Sequence, residues 1–331
     1  MGGGPMNKML SRVAESIYWM NRYIERAGNI ARFLDVNFRL MLDLPAGTQV
    51  QWDALVRITG DYDAFVARYP AATREAVIQF LTFDAENPSS ILSCVKSARE
   101  NARSVREIIS SEMWEQVNRL YLSLRDAAER PLEPRDEFFA ETRQATQLYT
   151  GLTYTTMSHG KAWHFARLGR MIERADQTSR ILDVKYFTLL PSVEDVGTPI
   201  DEVGWNAVLS SASAMEAYRQ KHGLVSPNCA VQFLVLDSEF PRSVRFCLTQ
   251  ADESLHAISR TRGGSFSNAA ERRLGQLRSE LDYMCVADIM KRGLHEYLDA
   301  LQTRLNDVGS AIYESYFERR RVSGVQHQTQ K

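Results

Sequence analysis

Two stretches of the chain carry the same charged residues in the same order. Arg22, Glu25, Asn29 and Arg32 are spaced three, four and three, so on a helix they form one stripe. Arg170, Glu173, Gln177 and Arg180 repeat that stripe 148 residues later (173 minus 25 is 148). Arg26 and Arg174 stand next to the glutamates, about 100° round the helix. A guanidinium held by a carboxylate is suited to grip another carboxylate, or a phosphate, through two parallel hydrogen bonds. The plainer alternative is a ladder of intrahelical ion pairs on a solvated face, worth a few tenths of a kcal/mol each. Such surface pairs drift freely, whereas these have kept both residue type and register. The stripe therefore faces something fixed, either a seam between two halves or a ligand.

The elements that position the stripe also recur. Leu34-Asp35-Val36 is answered by Leu182-Asp183-Val184, and Phe80-Leu81-Thr82-Phe83-Asp84 by Phe233-Leu234-Val235-Leu236-Asp237, the latter at an offset of 153. Trp52 and Trp205, and Cys94 and Cys247, share the 153 offset, so the extra residues fall in the Pro- and Gly-containing stretch 191–199, a loop by composition. A period near 150 exceeds the roughly 20–50 residues of solenoid units. Duplication of a helical half, giving a pseudo-twofold molecule, explains it more simply. Ile17, Met20, Ile24, Ala27, Ala31 and Leu34 follow helical spacing over residues 10–42, and the duplicate runs over 158–188. Pro88 and Pro241 suit first helical positions, where a missing amide hydrogen has no partner to lose. Long helices then extend to about 111 and 260, and another spans about 288–317. No alternating β-branched run occurs. The fold class is all-α: a large bundle of roughly ten to twelve helices. The expected organisation is a flexible leader (1–8), one helical domain (9–318) made of repeats at about 9–156 and 157–318, and a disordered tail (319–331).

The 331 residues carry 40 Lys and Arg against 41 Asp and Glu, so charge gives no footprint for nucleic acid or an anionic membrane. No apolar run reaches membrane-spanning length, and no signal-peptide core is visible, so a cytoplasmic location is expected. Cys94, Cys229, Cys247 and Cys285 lack CxxC pairing and read as reduced core residues. Asp84 and Glu86, and their counterparts Asp237 and Glu239, read as helix-capping acids. Glu253 and His256 have the spacing of a di-iron ligand pair, but the first half has Arg103 in place of His256, and His164 and His295 have no partner at ligand spacing. No metal site is expected. Phosphate-cradling loops, HExxH and a nucleophile elbow are absent, so a nucleotide-dependent activity has to come from another chain.

Tyr23-Ile24-Glu25-Arg26-Ala27, Arg99-Glu100-Asn101-Ala102-Arg103, Leu168-Gly169-Arg170-Met171-Ile172-Glu173-Arg174-Ala175-Asp176 and Gly293-Leu294-His295-Glu296 resemble the α-E domain family. This is a bacterial all-helical family whose name refers to its helices and a Glu-Arg motif, and the resemblance covers nearly the whole chain. It implies an association with a circularly permuted ATP-grasp ligase, and with a transglutaminase-like protein, in making or processing amide-linked conjugates. ATP and Mg would then belong to the ligase, with no cofactor on this chain. Three functions stay open. The chain could be a non-catalytic companion that binds the ligase or a carboxylate- or phosphate-bearing substrate through the ten stripe residues. It could be an acyl or aminoacyl transferase or amide hydrolase with Glu25 or Glu173 as general base, although adjacent arginines favour the ionised glutamate. It could be a structural scaffold.

Overall fold

Helical spacing of apolar residues predicts an N-terminal helix, and the chain forms one over Ser11–Asp43, with Ile17, Met20, Ile24, Ala27, Ala31 and Leu34 all in the core. In the computed structural model, residues 11–43, 52–129, 136–188 and 199–318 are described. The expected leader (1–8), the inserted loop up to residue 198 and the tail (319–331) lie outside them. The helices are α1 (Ser11–Asp43), α2 (Asp53–Thr59), α3 (Tyr62–Val66), α4 (Arg74–Thr82), α5 (Ile91–Ser104), α6 (Ser111–Ala128), α7 (Asp136–Thr156) and α8 (Lys161–Thr188). They continue with α9 (Pro199–Ser211), α10 (Met215–His222), α11 (Pro227–Val231), α12 (Val244–Ser259), α13 (Ala269–Tyr283), α14 (Val286–Arg292) and α15 (Leu294–Ile312). Two π-helical turns, Gln232–Leu236 and Tyr313–Phe317, extend α11 and α15. The described residues contain no strand, and none of their helices is long and apolar enough to cross a membrane.

Helices α1 and α8 form the centre. They pack on each other, α5 and α7 flank α1, and α12 and α15 flank α8. One continuous hydrophobic core runs through both halves. A single apolar face would bury each central helix on one side only. Instead, the middle of each is enclosed almost all round, so Asn21, Glu25, Asn29, Arg32 and Asp35 on α1, and Arg170, Glu173, Asp176 and Gln177 on α8, are buried along with the apolar residues.

Several expectations are corrected by local chemistry. The acids before α5 and α12 organise the preceding turns, not the helices. Asp84 accepts from the Glu86 amide and pairs with Arg68 at 2.8 Å, while Asp237 accepts from the Glu239 and Phe240 amides and pairs with Lys221 at 2.6 Å. The caps are Ser90 and Ser243, which accept from the amides of Ser93 and Phe246. Pro88 and Pro241 consequently lie in the turns, three residues before the helices begin. The final helix breaks at Gly293, whose φ of +95° suits a residue without a β-carbon, so α14 and α15 are separate. Cys94 and Cys247 are core residues, their thiols pushed up to about 12 by burial, but Cys285 is exposed at the start of α14 and Cys229 is half-buried.

Gly169 lets α8 approach α1, because a β-carbon there would overlap the backbone carbonyl of Tyr18. Gly169→Ala should destabilise the protein by about 1–3 kcal/mol through overpacking. Gly151→Ala on α7, where a β-carbon meets nothing within 4 Å, should gain up to about 1 kcal/mol from helix propensity. Thermal unfolding of the two variants should therefore shift in opposite directions.

Candidate functional site

Where α1 meets α8, each glutamate of the stripe is held by arginine from the other helix. Glu173, fully buried, accepts a two-pronged pair from Arg26 (Nε to Oε1 2.7 Å, Nη2 to Oε2 3.0 Å). Arg22 adds Nε to Oε2 at 2.9 Å, and Gln177 a longer contact at 3.4 Å. Glu25, 7% exposed, accepts the mirror-image fork from Arg174 (Nε to Oε1 2.9 Å, Nη2 to Oε2 3.0 Å). Its second partner is Arg242, which gives one Nη1 both to Glu25 at 3.0 Å and to Asn29 at 3.1 Å. The pairs between the stripe's glutamates and arginines thus cross the seam, not the intrahelical series that spacing alone allows.

The electrostatics follow from this geometry. Burial would raise the Glu173 carboxyl, but Arg26 and Arg22 outweigh it and hold it down at about 2. Burial acts on Glu25 in the same way, and Arg174 and Arg242 drive it further below the ordinary carboxylate range. Arg26 and Arg174 rise above their usual value because each glutamate outweighs the burial of its arginine. Both carboxylates are thus held ionised, each engaged by two arginines.

The remaining stripe residues differ between the halves. Arg180 pairs with Asp176 at 2.9 Å, four residues before it, whereas Arg32 has Gly28 at that position and, among the described residues, donates to the Asn29 side-chain oxygen at 2.6 Å. Arg32 is 2% exposed, and burial and then Arg242 pull it well below its ordinary value. Arg170 is pulled to about 10 by burial and by Arg174, and its Nε and Nη1 have no hydrogen-bond partner among the described residues. All ten stripe residues therefore lie in or beside one seam, and their forked arginines are engaged internally.

A reading based on the repeat misses Arg242, because the equivalent position in the first half is Ser89. It also misses Tyr18, Trp19 and Asp176. These three line a groove of about 500 Å³ beside the seam, together with Arg22, α15 and the Tyr313–Phe317 turn. Arg22 lies over the Trp19 ring, 4.9 Å from its centroid. Away from the seam, Asp183 receives His295 at 2.6 Å, and Asp35 receives Arg39 and Arg143. Glu253 pairs with Arg167, while His256 meets Asp252 and Thr261, so the suspected ligand pair is engaged separately. No group of residues able to hold a metal occurs among the described residues.

Two Glu-Arg dipeptides thus lock into each other at the centre of an all-helical chain. Residues 9–317 match the Alpha-E family, described as a predicted alpha-helical domain with a conserved ER motif. The chain belongs to the Alpha-E family. Similar proteins include Mb2597 of Mycobacterium bovis and Rv2567 of Mycobacterium tuberculosis, each 26% identical over 342 aligned residues. The alignments cover 94% of this chain and 37% of each relative, so the Alpha-E chain spans little more than a third of their length. No solved structure matches it.

The seam makes an acid-sensitivity prediction. The folded Glu173 carboxyl lies below its ordinary 4.5, so the stability it contributes is complete above about 4.5 and is lost as pH falls from there towards 2. Glu173→Gln should cost about 3–5 kcal/mol at neutral pH, because Arg22 and Arg26 lose their counter-charge. It should also flatten the fall of the unfolding midpoint across that window, as followed by circular dichroism.

Proposed function

We propose that this Alpha-E chain is a non-catalytic companion of an ATP-grasp-type amide ligase, and that its two halves descend from one duplicated helical unit. Duplication is supported by the spacing of equivalent features. The forks Arg26–Glu173 and Arg174–Glu25 exchange partners between positions 148 apart, and the caps Thr73 and Ser226, the helix starts Ile91 and Val244, and the turn pairs Arg68–Asp84 and Lys221–Asp237 recur at 153. A pseudo-twofold through the α1–α8 seam relates such pairs.

The observation that carries the companion reading is the double lock on Glu25 and Glu173. It removes the two best general-base candidates of the stripe and makes the stripe a rigid support instead. The greater length of the mycobacterial relatives fits a domain that works beside further polypeptide. ATP and Mg belong to the ligase, which places the pair in the cytoplasm where ATP is supplied, and a transglutaminase-like protein is a further partner. An acylphosphate formed on a carboxylate substrate profits from exclusion of water, and a helical partner closing the ligase site would supply it.

ADP release by an ATP-grasp ligase encoded beside an Alpha-E gene, given a pool of amino acids and short peptides, tests this. Adding the Alpha-E chain should raise the rate at least twofold, and the two proteins should co-elute on gel filtration. An unchanged rate together with separate elution would remove the companion reading.

A further inference from the structure

At the Glu173 end of the seam, two guanidiniums share one carboxylate. Glu173 takes both Arg22 and Arg26, and Asp176, close enough to act on Arg26, takes Arg180. Three arginines therefore meet two acids, and one positive charge is unmatched within this group. The excess is reachable at Arg22, whose side chain is 15% exposed and lines the groove of about 500 Å³. Its Nε and Nη2 go to Glu173 at 2.9 and 2.8 Å, which leaves Nη1 with a long 3.4 Å contact to the Tyr18 hydroxyl. Burial raises that hydroxyl, so it stays protonated and supplies no counter-charge.

Gly309 of α15 lines the same groove. A β-carbon on Gly309 would stand 4.0 Å from Arg22 Nη1 and meet nothing closer from the rest of the fold. The missing side chain thus leaves a notch in front of that nitrogen. Gly309 lies inside a continuous helix, because the π-helical turn Tyr313–Phe317 carries α15 on, and glycine is a costly choice there. An open approach to a cation with unmatched charge gives that choice a reason. Trp19, Ile172, Leu305 and Phe317 make the surrounding wall apolar. Glu314 lines the groove as well, exposed and in no ion pair with a described residue.

We propose that this groove binds a ligand with a single carboxylate beside an apolar group. The carboxylate accepts from Arg22 Nη1 at the Gly309 notch, and the apolar group lies against Trp19 and Phe317. A guanidinium already fixed by Glu173 loses little freedom on making this further bond. Glu314 opposes a second negative charge on the ligand. Free acids and peptide C-termini share the required chemistry, and the volume lies within the range of small-molecule sites. The inference rests on the companion reading for its biological sense: a carboxylate is the group an ATP-grasp ligase activates.

Calorimetric titration of the full chain with hydrocinnamate and with acetyl-Ala-Ala-Phe, whose only charge is its C-terminal carboxylate, tests the site without the ligase. At least one should bind with Kd below about 1 mM, and the tighter of the two identifies the source of the carboxylate. The amide of each compound that binds should do so at least about tenfold more weakly, having lost a charge-assisted hydrogen bond. Benzylmalonate, which adds a second carboxylate to hydrocinnamate, should gain nothing. Gly309→Leu fills the notch and should weaken binding at least about tenfold. Gly309→Ala keeps the test sound if the leucine disturbs the fold: its methyl makes ordinary van der Waals contact with Nη1 and improves the helix, so the unfolding midpoint should hold or rise while binding weakens. Binding by neither compound, equal binding of the amides, tighter binding of benzylmalonate, or wild-type affinity in Gly309→Ala would overturn the proposal. The companion reading is tested apart, by ADP release and co-elution, and survives the loss of this site.

Discussion

A carboxylate removed from water costs several kcal/mol unless well-placed charged donors replace the water, and this fold removes two at its centre. Each takes its counter-charge from arginines in the other half of the chain. That requirement fixes how α1 and α8 meet: sliding one helix by a residue would turn its glutamate about 100° away from the waiting guanidinium. Apolar packing alone is far more permissive about register. The forks Arg26–Glu173 and Arg174–Glu25 therefore define the architecture, and α5, α7, α12 and α15 pack around a pair already set.

The same constraint separates support from recognition. The Glu25-Arg26 and Glu173-Arg174 dipeptides are engaged with each other across the seam, with their carboxylates held ionised. At the margin of the seam Arg22, held by Glu173, also lines a groove. A guanidinium immobilised on one side by a buried carboxylate and lying over an indole is pre-oriented for whatever approaches its free edge. The groove thus borrows its rigidity from the seam.

The sequence made the helical class, the two central helices and the importance of the stripe legible, because apolar spacing and recurrence at a fixed offset are properties of the chain itself. It could not distinguish a solvated stripe from a buried one, since Arg and Glu at three-four spacing look alike in both settings. Arg242 was invisible for a different reason. It partners Glu25 from a turn 217 residues away (242 minus 25), and its counterpart Ser89 made it look incidental. Asp176 was hidden likewise, Gly28 standing in its place. What the two halves share reveals the lock, and what differs, such as Asp176 against Gly28, leaves no trace in the repeat. Gly293 and the serine caps explain the remaining misplaced boundaries: a positive φ and a one-residue hydroxyl outweigh a continuous apolar pattern.

The reach of the Glu25 contacts also bears on how the protein is made. A ribosome adds roughly 5–20 residues per second, so the 217 residues separating Glu25 from Arg242 take on the order of 10–40 seconds to synthesise. Arg174, 149 residues after Glu25, emerges first and Arg242 last, so for most of that interval Glu25 lacks part or all of its counter-charge, which disfavours burial of this face of α1. The seam is thus completed only once the second half of the chain has been made.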